Sequence, residues 1–426
     1  MVSVPLGIYI SVPFCRTKCS YCNFASDVFS RAVFERYVER VCGDIEEAPQ
    51  VAVEMGGEFE RKIDSIYLGG GTPTVLDGGQ LERIFKAVRH QFEVERDAEV
   101  TVECAPGTLT AGVVESLLRC GVNRVSLGVQ SFVDREAAAV GRQHKRATVL
   151  EDIARLRAAG ISNINVDLIA GLPHQTAESW AFSVTEAIAA GTPHVSVYML
   201  EVDEDSRLGS EVLAGGMRYH AHFVPDEDTT ADFYLAACEK LQSAGIAQYE
   251  ISNFAREGFE SRHNLKYWTR QPYLGFGVDA HSMLLANRGG HDLGHADQKQ
   301  TKEQGFSPRI IDAMRFSSPC SLDQYMAEAK LQCTAISQGA ALEESFFLGL
   351  RLVRGVDLED LSEKFGDDAI DNARAAITEL VEGGLIQTCG DFVSLTAKGW
   401  LLSNEVFQRF LSPIESSEVE TAAVPR

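Results

Sequence analysis

The chain has 426 residues, 45% of them hydrophobic, with 61 acidic against 39 basic side chains and a formal net charge of −22. That length allows one large domain and a smaller one, and the negative charge argues against nucleic acid as a partner. No run is long and apolar enough to cross a bilayer, and the opening residues lack a basic stretch followed by an apolar one; no integral membrane segment and a cytoplasmic location are expected.

The first expected strand, IYISV at 8–12, runs into PFCRTKCSYCNF, where Cys15, Cys19 and Cys22 fall within eight residues. Thiolates at this spacing hold three irons of a cubane 4Fe-4S cluster and leave the fourth iron open. The open iron usually takes the amino and carboxylate groups of S-adenosylmethionine, and one electron can then break the sulfonium bond to give a 5'-deoxyadenosyl radical. A structural zinc site wants four closed ligands, and neither Cys42 nor a nearby histidine completes one. The seven other cysteines, from Cys42 to Cys389, read mostly as reduced core residues.

Further strands are expected at 65–70, 99–104, 124–130, 163–171 and 194–201, alternating with helices at 31–47, 79–92, 110–119, 147–159 and 176–190. Six such units imply a parallel sheet and the fold class α/β, a partial (β/α)6 TIM-like barrel with its chemistry on loops at the carboxyl ends of the strands. The expected division is a core barrel over 1–240, a flanking segment over 241–320 and a C-terminal domain over 321–412. From about 202 to 300 the pattern is irregular and finishes one side of the barrel, with a turn-rich stretch near 288–309; the chain then reads as helical from about 320. Helices at 343–353, 357–365 and 368–382, followed by LIQTCGDFVSLT turning at Gly390, suggest a winged-helix-like α+β module. Its third helix carries few basic residues, which argues against DNA binding. The tail at 413–426 is expected to be disordered.

Chemistry-bearing residues gather at strand ends. Gly69, Gly70, Gly71 and Thr72 form a loop that a ligand can approach closely. Glu103, Gln130, Arg142 and Asp167 sit at or just beyond strand ends, where a barrel points them into one mouth. A second candidate is RHNLKYW, in which His263 is a potential haem-iron ligand beside Asn264, Tyr267 and Trp268. The bland alternative is a packing histidine among aromatics.

Taken together, YISVPFCRTKCSYCNF, YLGGGTPT, VECAPGT, RVSLGVQSF, GRQH, NVDLIAGLP, YEISNFA, SRHNLKYW, YLGFGVDAHS and EESFFLGLRL resemble the radical S-adenosylmethionine superfamily. Within it they resemble the group of oxygen-independent coproporphyrinogen III dehydrogenases and HemW-type haem chaperones. The resemblance implies that Cys15, Cys19 and Cys22 ligate the cluster, that Tyr9, Gly70, Gly71, Thr72 and Glu103 contact S-adenosylmethionine, and that Tyr21, Gln130, Arg142 and Asp167 line the nucleoside or second-ligand pocket. Two departures favour the HemW branch: Phe24 stands where the dehydrogenase has a fourth cysteine, and only 14 residues precede Cys15. Ser11, where many relatives have histidine, touches no cluster ligand. The HNxxYW element is a feature of that branch and implies haem contact at His263. The function so implied is a haem chaperone with a 4Fe-4S cluster, exchangeable S-adenosylmethionine and haem as cargo, working with an acceptor protein and an electron donor. The alternative is radical decarboxylation of coproporphyrinogen III, so enzymatic status stays open.

Overall fold

The structure, a computed structural model, describes residues 4–287, 311–327 and 330–411. The stretch at 288–309 and the tail at 413–426 lie outside the described residues.

Six strands form where apolar alternation places them: β1 (Leu6–Val12), β2 (Lys62–Gly70), β3 (Glu93–Cys104), β4 (Arg124–Gln130), β5 (Asn163–Ala170) and β6 (His194–Met199). They pair in that order, all parallel. The helices between them are α1 (Ala32–Glu54), α2 (Gly78–Gln91), α3 (Ala111–Arg119), α4 (Asp134–Ala139), α5 (Arg146–Ala158) and α6 (Ala177–Ala189). Local chemistry starts several of them. Asp77 and Gln80 form a reciprocal capping box on α2, Thr110 caps α3, and Thr176 with Ser179 boxes α6.

Because strand residues alternate faces, Ile8, Ile66, Val102, Leu127, Leu168 and Val197 point outward into the helix layer and are fully buried. Their neighbours point inward: register places Tyr9 beside Tyr67, Glu103 beside Ser126, Gly128 beside Asp167, and Asp167 beside Ser196. The inner face is therefore polar.

The sheet continues beyond the six expected strands. The segment from about 202 to 300 holds α8 (Glu227–Ser243), where the sequence predicts a helix over 228–244, and also α7 (Arg207–Leu213) and α9 (Arg262–Trp268), which its irregular pattern does not foretell. That segment also carries β7 (Ala247–Glu250) and β8 (Asn253–Ala255), antiparallel to each other and added to β6. On the opposite side β9 (Tyr273–Phe276) runs parallel to β1, followed by antiparallel β10 (His281–Leu285), β11 (Ile311–Ser317) and β12 (Gln332–Ser337). Both edges of the barrel are thus extended, not one, and among the described residues no pairing closes the sheet between β7 and β12.

After α10 (Leu322–Met326), the stretch expected to be helical holds β12, whose first four residues are all exposed and so carry no apolar alternation. The C-terminal module then follows as α11 (Gln338–Gly349), β13 (Val356–Asp357), α12 (Leu358–Phe365), α13 (Asp367–Glu382) and the hairpin β14 (Ile386–Cys389) with β15 (Phe392–Leu395). Gly390 turns that hairpin at φ 61°, and Phe346, Leu350, Ile370, Ile386, Val393 and Phe407 form a separate core. Since β12 pairs with the barrel sheet and Ser337 caps α11, we propose the domain boundary at Ser337. Arg270 ties the two parts together, bonding Glu344 of α11 at 2.8 Å and Asp312 of β11 at 3.0 Å. Among the described residues no helix is long and apolar enough to cross a membrane.

Candidate functional site

Two loops are laced together at the carboxyl ends of β1 and β2. The Gly71 amide donates to the Val12 carbonyl and the Thr72 amide to the Phe14 carbonyl, both at 2.8 Å. A side chain at position 71 would lie 2.7 Å from those two carbonyl oxygens, so glycine is required there, and Gly70 turns the chain at φ 97°. The cysteine loop is closed on itself: the Cys15 amide bonds Asp27 O at 2.9 Å, and Lys18 Nζ donates to the carbonyls of Phe24 and Ser26, both at 2.7 Å.

This lacing gathers the three thiols. The Thr72 hydroxyl donates to Cys15 Sγ at 3.9 Å, and Arg142 Nη1 donates to Cys19 Sγ at 3.6 Å. Burial holds the Cys15 thiol above its ordinary range, and the charges of Cys22 and Cys19 push the same way, so the three sulfurs are close enough to feel one another. Arg142 reaches them across β4 by donating to the Gly128 carbonyl; a Cβ at position 128 would sit 2.6 Å from its guanidinium. Burial works against that guanidinium's charge, but Tyr21, Cys19 and Asp167 around it hold it firmly protonated.

Below the thiols, the inner face is lined by tyrosines and carboxyls. Glu103 Oε1 accepts from the Tyr67 hydroxyl at 2.8 Å, and only glycine fits at position 69, where a Cβ would lie 2.9 Å from that oxygen. Burial, reinforced by the Asp167 charge and opposed by the Tyr67 hydrogen bond, pushes the Glu103 carboxyl up to about 7. Asp167 accepts from Ser126 Oγ at 3.0 Å and from Asn165 Nδ2 at 2.7 Å; burial raises its pKa while these bonds oppose the rise. Tyr198 on the same face is 41% exposed, so the interior is open to solvent. Gln130 ends β4 at φ 67° and is 9% exposed.

The candidate set does not all converge. Tyr9, Tyr21, Gly70, Gly71, Thr72, Glu103, Gln130, Arg142 and Asp167 share the mouth with the cysteines. His263 lies deeper in the same interior, beside Gly7 and Ser65 near the starts of β1 and β2, with its ring 5.3 Å from that of Tyr67 and 6.3 Å from that of Tyr9. It is 1% exposed, Nδ1 meets Ser65 Oγ at 3.1 Å and Nε2 meets the Tyr267 hydroxyl at 2.8 Å. Burial, with Lys266 and Arg124 nearby, lowers its pKa to about 3. Both ring nitrogens have hydrogen-bond partners. The rest of the motif also holds the barrel floor: Lys266 pairs with Asp64 at 2.8 Å, and the Trp268 ring lies 5.1 Å from the Arg351 guanidinium of the C-terminal module.

Residues 9–185 match the Radical SAM superfamily domain and residues 336–402 the HemN C-terminal domain. The chain is 33% identical to the heme chaperone HemW of Lactococcus lactis over 96% of its own length and 98% of that relative. It is likewise 33% identical to the heme chaperone HemW of Bacillus subtilis, over 95% of this chain and 99% of that one. The chain belongs to the HemW family. Among solved structures, Escherichia coli coproporphyrinogen III oxidase (HemN) superposes with a TM-score of 0.77 at 22% identity, over 95% of this chain and 90% of that one; the likeness is one of fold.

Membership of the HemW family and its radical SAM domain imply a 4Fe-4S cluster and S-adenosylmethionine. The residues present fit those groups. Arg142 Nε, Gln130 Oε1 and Ser20 Oγ are buried at the mouth with no partner in the protein, which a cluster and a polar cofactor can satisfy. Tyr67, Tyr198, Ser126 and Asn165 were absent from the sequence-based set. Their signal was available: each holds an inward position on a strand whose outward positions are apolar.

Proposed function

We propose that this HemW-family chain is a haem chaperone that binds haem and passes it to an acceptor protein in the cytoplasm. The reading rests on near-full-length likeness to relatives named as heme chaperones. In it Cys15, Cys19 and Cys22 ligate the cluster. The carbonyl oxygens of the glycine loop accept from the amino group of S-adenosylmethionine. Tyr9, Glu103 and Asp167 hold the nucleoside side, and Tyr21, Gln130 and Arg142 close the pocket. When bound, the cofactor brings one-electron chemistry at a sulfonium; the chain's part is to hold and shield it.

The charge of the interior argues against the decarboxylase alternative. A porphyrinogen bearing several carboxylates needs several cations in the mouth. This mouth presents Tyr9, Tyr67, Glu103, Asp167 and Tyr198, and its Arg142 already serves Gly128 and Cys19. Anaerobic incubation of cluster-reconstituted protein with S-adenosylmethionine, a reductant and coproporphyrinogen III tests this choice. The chaperone reading expects no loss of carbon dioxide from the porphyrinogen, and vinyl-bearing product would overturn it.

A further inference from the structure

On the outer rim of the mouth, three segments meet around an open groove of about 400 Å³ lined by Arg135, Ala138, Ala139, His174, His220 and Phe223. None of these belongs to the cofactor site. His174 Nε2 lies 3.2 Å from His220 Nδ1, and His174 Nδ1 lies 3.2 Å from Arg135 Nη2. The Phe223 ring packs on His174 with centroids 4.1 Å apart. His174, Tyr219 and His220 all take left-handed backbone conformations, with φ 71°, 54° and 61°, which non-glycine residues adopt only when the surroundings hold them there. The same segment exposes large apolar side chains: Met217 is 70% and Phe223 46% exposed.

Resting on the chaperone reading, we propose that this groove is a haem seat, with His220 on the iron, His174 orienting it and Arg135 on a propionate. A bare divalent ion needs three or more protein ligands, and the lining of this groove offers two histidines and no carboxylate or thiol. Haem iron already carries four porphyrin nitrogens and needs one axial imidazole. Phe223, Ala138 and Ala139 offer the apolar wall that a macrocycle face requires, and the open side leaves cargo accessible for handover.

The hydrogen bonds give the order of events. Arginine can only donate, so Nδ1 of His174 accepts from Arg135, its Nε2–H donates to His220 Nδ1, and the proton of His220 sits on Nε2. Burial, then the nearby Arg135, lowers the pKa of His174, which keeps its ring neutral. When Arg135 turns to a propionate, Nδ1 of His174 is released and takes up a proton as Nε2 gives one to water. His220 Nδ1 takes a proton from water and donates it to His174 Nε2, while the Nε2 proton of His220 returns to water. The Nε2 lone pair of His220 is left to displace the exchangeable ligand on ferric haem. The exchange moves protons between ring nitrogens without net uptake or release.

The groove also abuts the cluster loop. Ser20 donates its amide to Val140 O at 3.1 Å and its carbonyl accepts from the Leu208 amide at 2.7 Å, so the cysteine loop is tied to the end of α4 and to α7.

The test titrates haem into the full-length, cluster-reconstituted protein and its variants, following the Soret band, with cluster absorbance and S-adenosylmethionine binding as checks of fold. His220→Ala and His174→Ala are expected to lose the imidazole-ligated spectrum and weaken haem by roughly tenfold or more. Arg135→Leu is expected to weaken haem but not its propionate dimethyl ester, while His222→Ala keeps the wild-type spectrum. Wild-type spectrum and affinity in folded His220→Ala would overturn the haem seat and leave the chaperone reading standing. Absence of saturable haem binding by the wild type would overturn both.

Discussion

Glu103 shows how a single side chain is set by its surroundings. Its folded pKa of about 7 stands above the usual carboxyl value of about 4.3. Between those values the folded state binds more protons than the unfolded one, so the group's contribution to stability falls as pH rises through that window. Glu103→Gln is therefore expected to gain in melting temperature relative to wild type between pH 5 and pH 8, as followed by thermal unfolding without cofactor. S-adenosylmethionine binding runs the other way: wild type tightens as the carboxylate ionises near pH 7, and the glutamine variant binds more weakly with a flat profile. His263 makes the opposite case, a neutral ring satisfied on both nitrogens in the floor. Its replacement by alanine strands buried hydroxyls and is expected to cost about 2–4 kcal/mol of stability in denaturant unfolding, with haem affinity retained. The cysteine triad was legible because its spacing is chemistry in itself. The depth of His263 in the barrel was not, because a motif does not say where along the strands it packs.

At the scale of elements, the six parallel strands were legible because each is a short, largely buried apolar or β-branched run set between helical patterns. The short edge strands β7 to β10, three to five residues each, were not, because so few residues cannot show a period. The scattered cysteines also divide by element: Cys104 and Cys120 are buried, whereas Cys320, Cys333 and Cys389 are exposed. The joint between sheet and C-terminal module rests on Glu344, held between Arg270 and Arg315 at 2.8 Å each. Glu344→Ala leaves half-buried Arg315 without its carboxylate and buried Arg270 with Asp312 alone, and is expected to cost about 3 kcal/mol. Breaking the exposed Arg409–Glu379 pair is expected to cost about 1 kcal/mol or less. Denaturant midpoints of the two variants, measured side by side, check that contrast.

For the whole molecule, the twelve-stranded sheet holds the cysteine loop by two amide bonds from the glycine loop and by Arg142. The loop over 15–31 has almost no regular structure of its own, so the cluster is expected to be its main brace. Removal of iron by oxidation and chelation is expected to make limited proteolysis cut first within 15–31, with the barrel helices resistant. The net charge of −22 and an interior lined by carboxyls and tyrosines disfavour a polyanionic substrate there.

The most direct test of the carrier reading is an equilibrium titration of haem into anaerobically reconstituted wild-type protein, read at the Soret band against a haem-only reference. The account predicts saturation at a single haem per chain with a shifted, ligated band. A linear, unsaturable rise that matches free haem would contradict it.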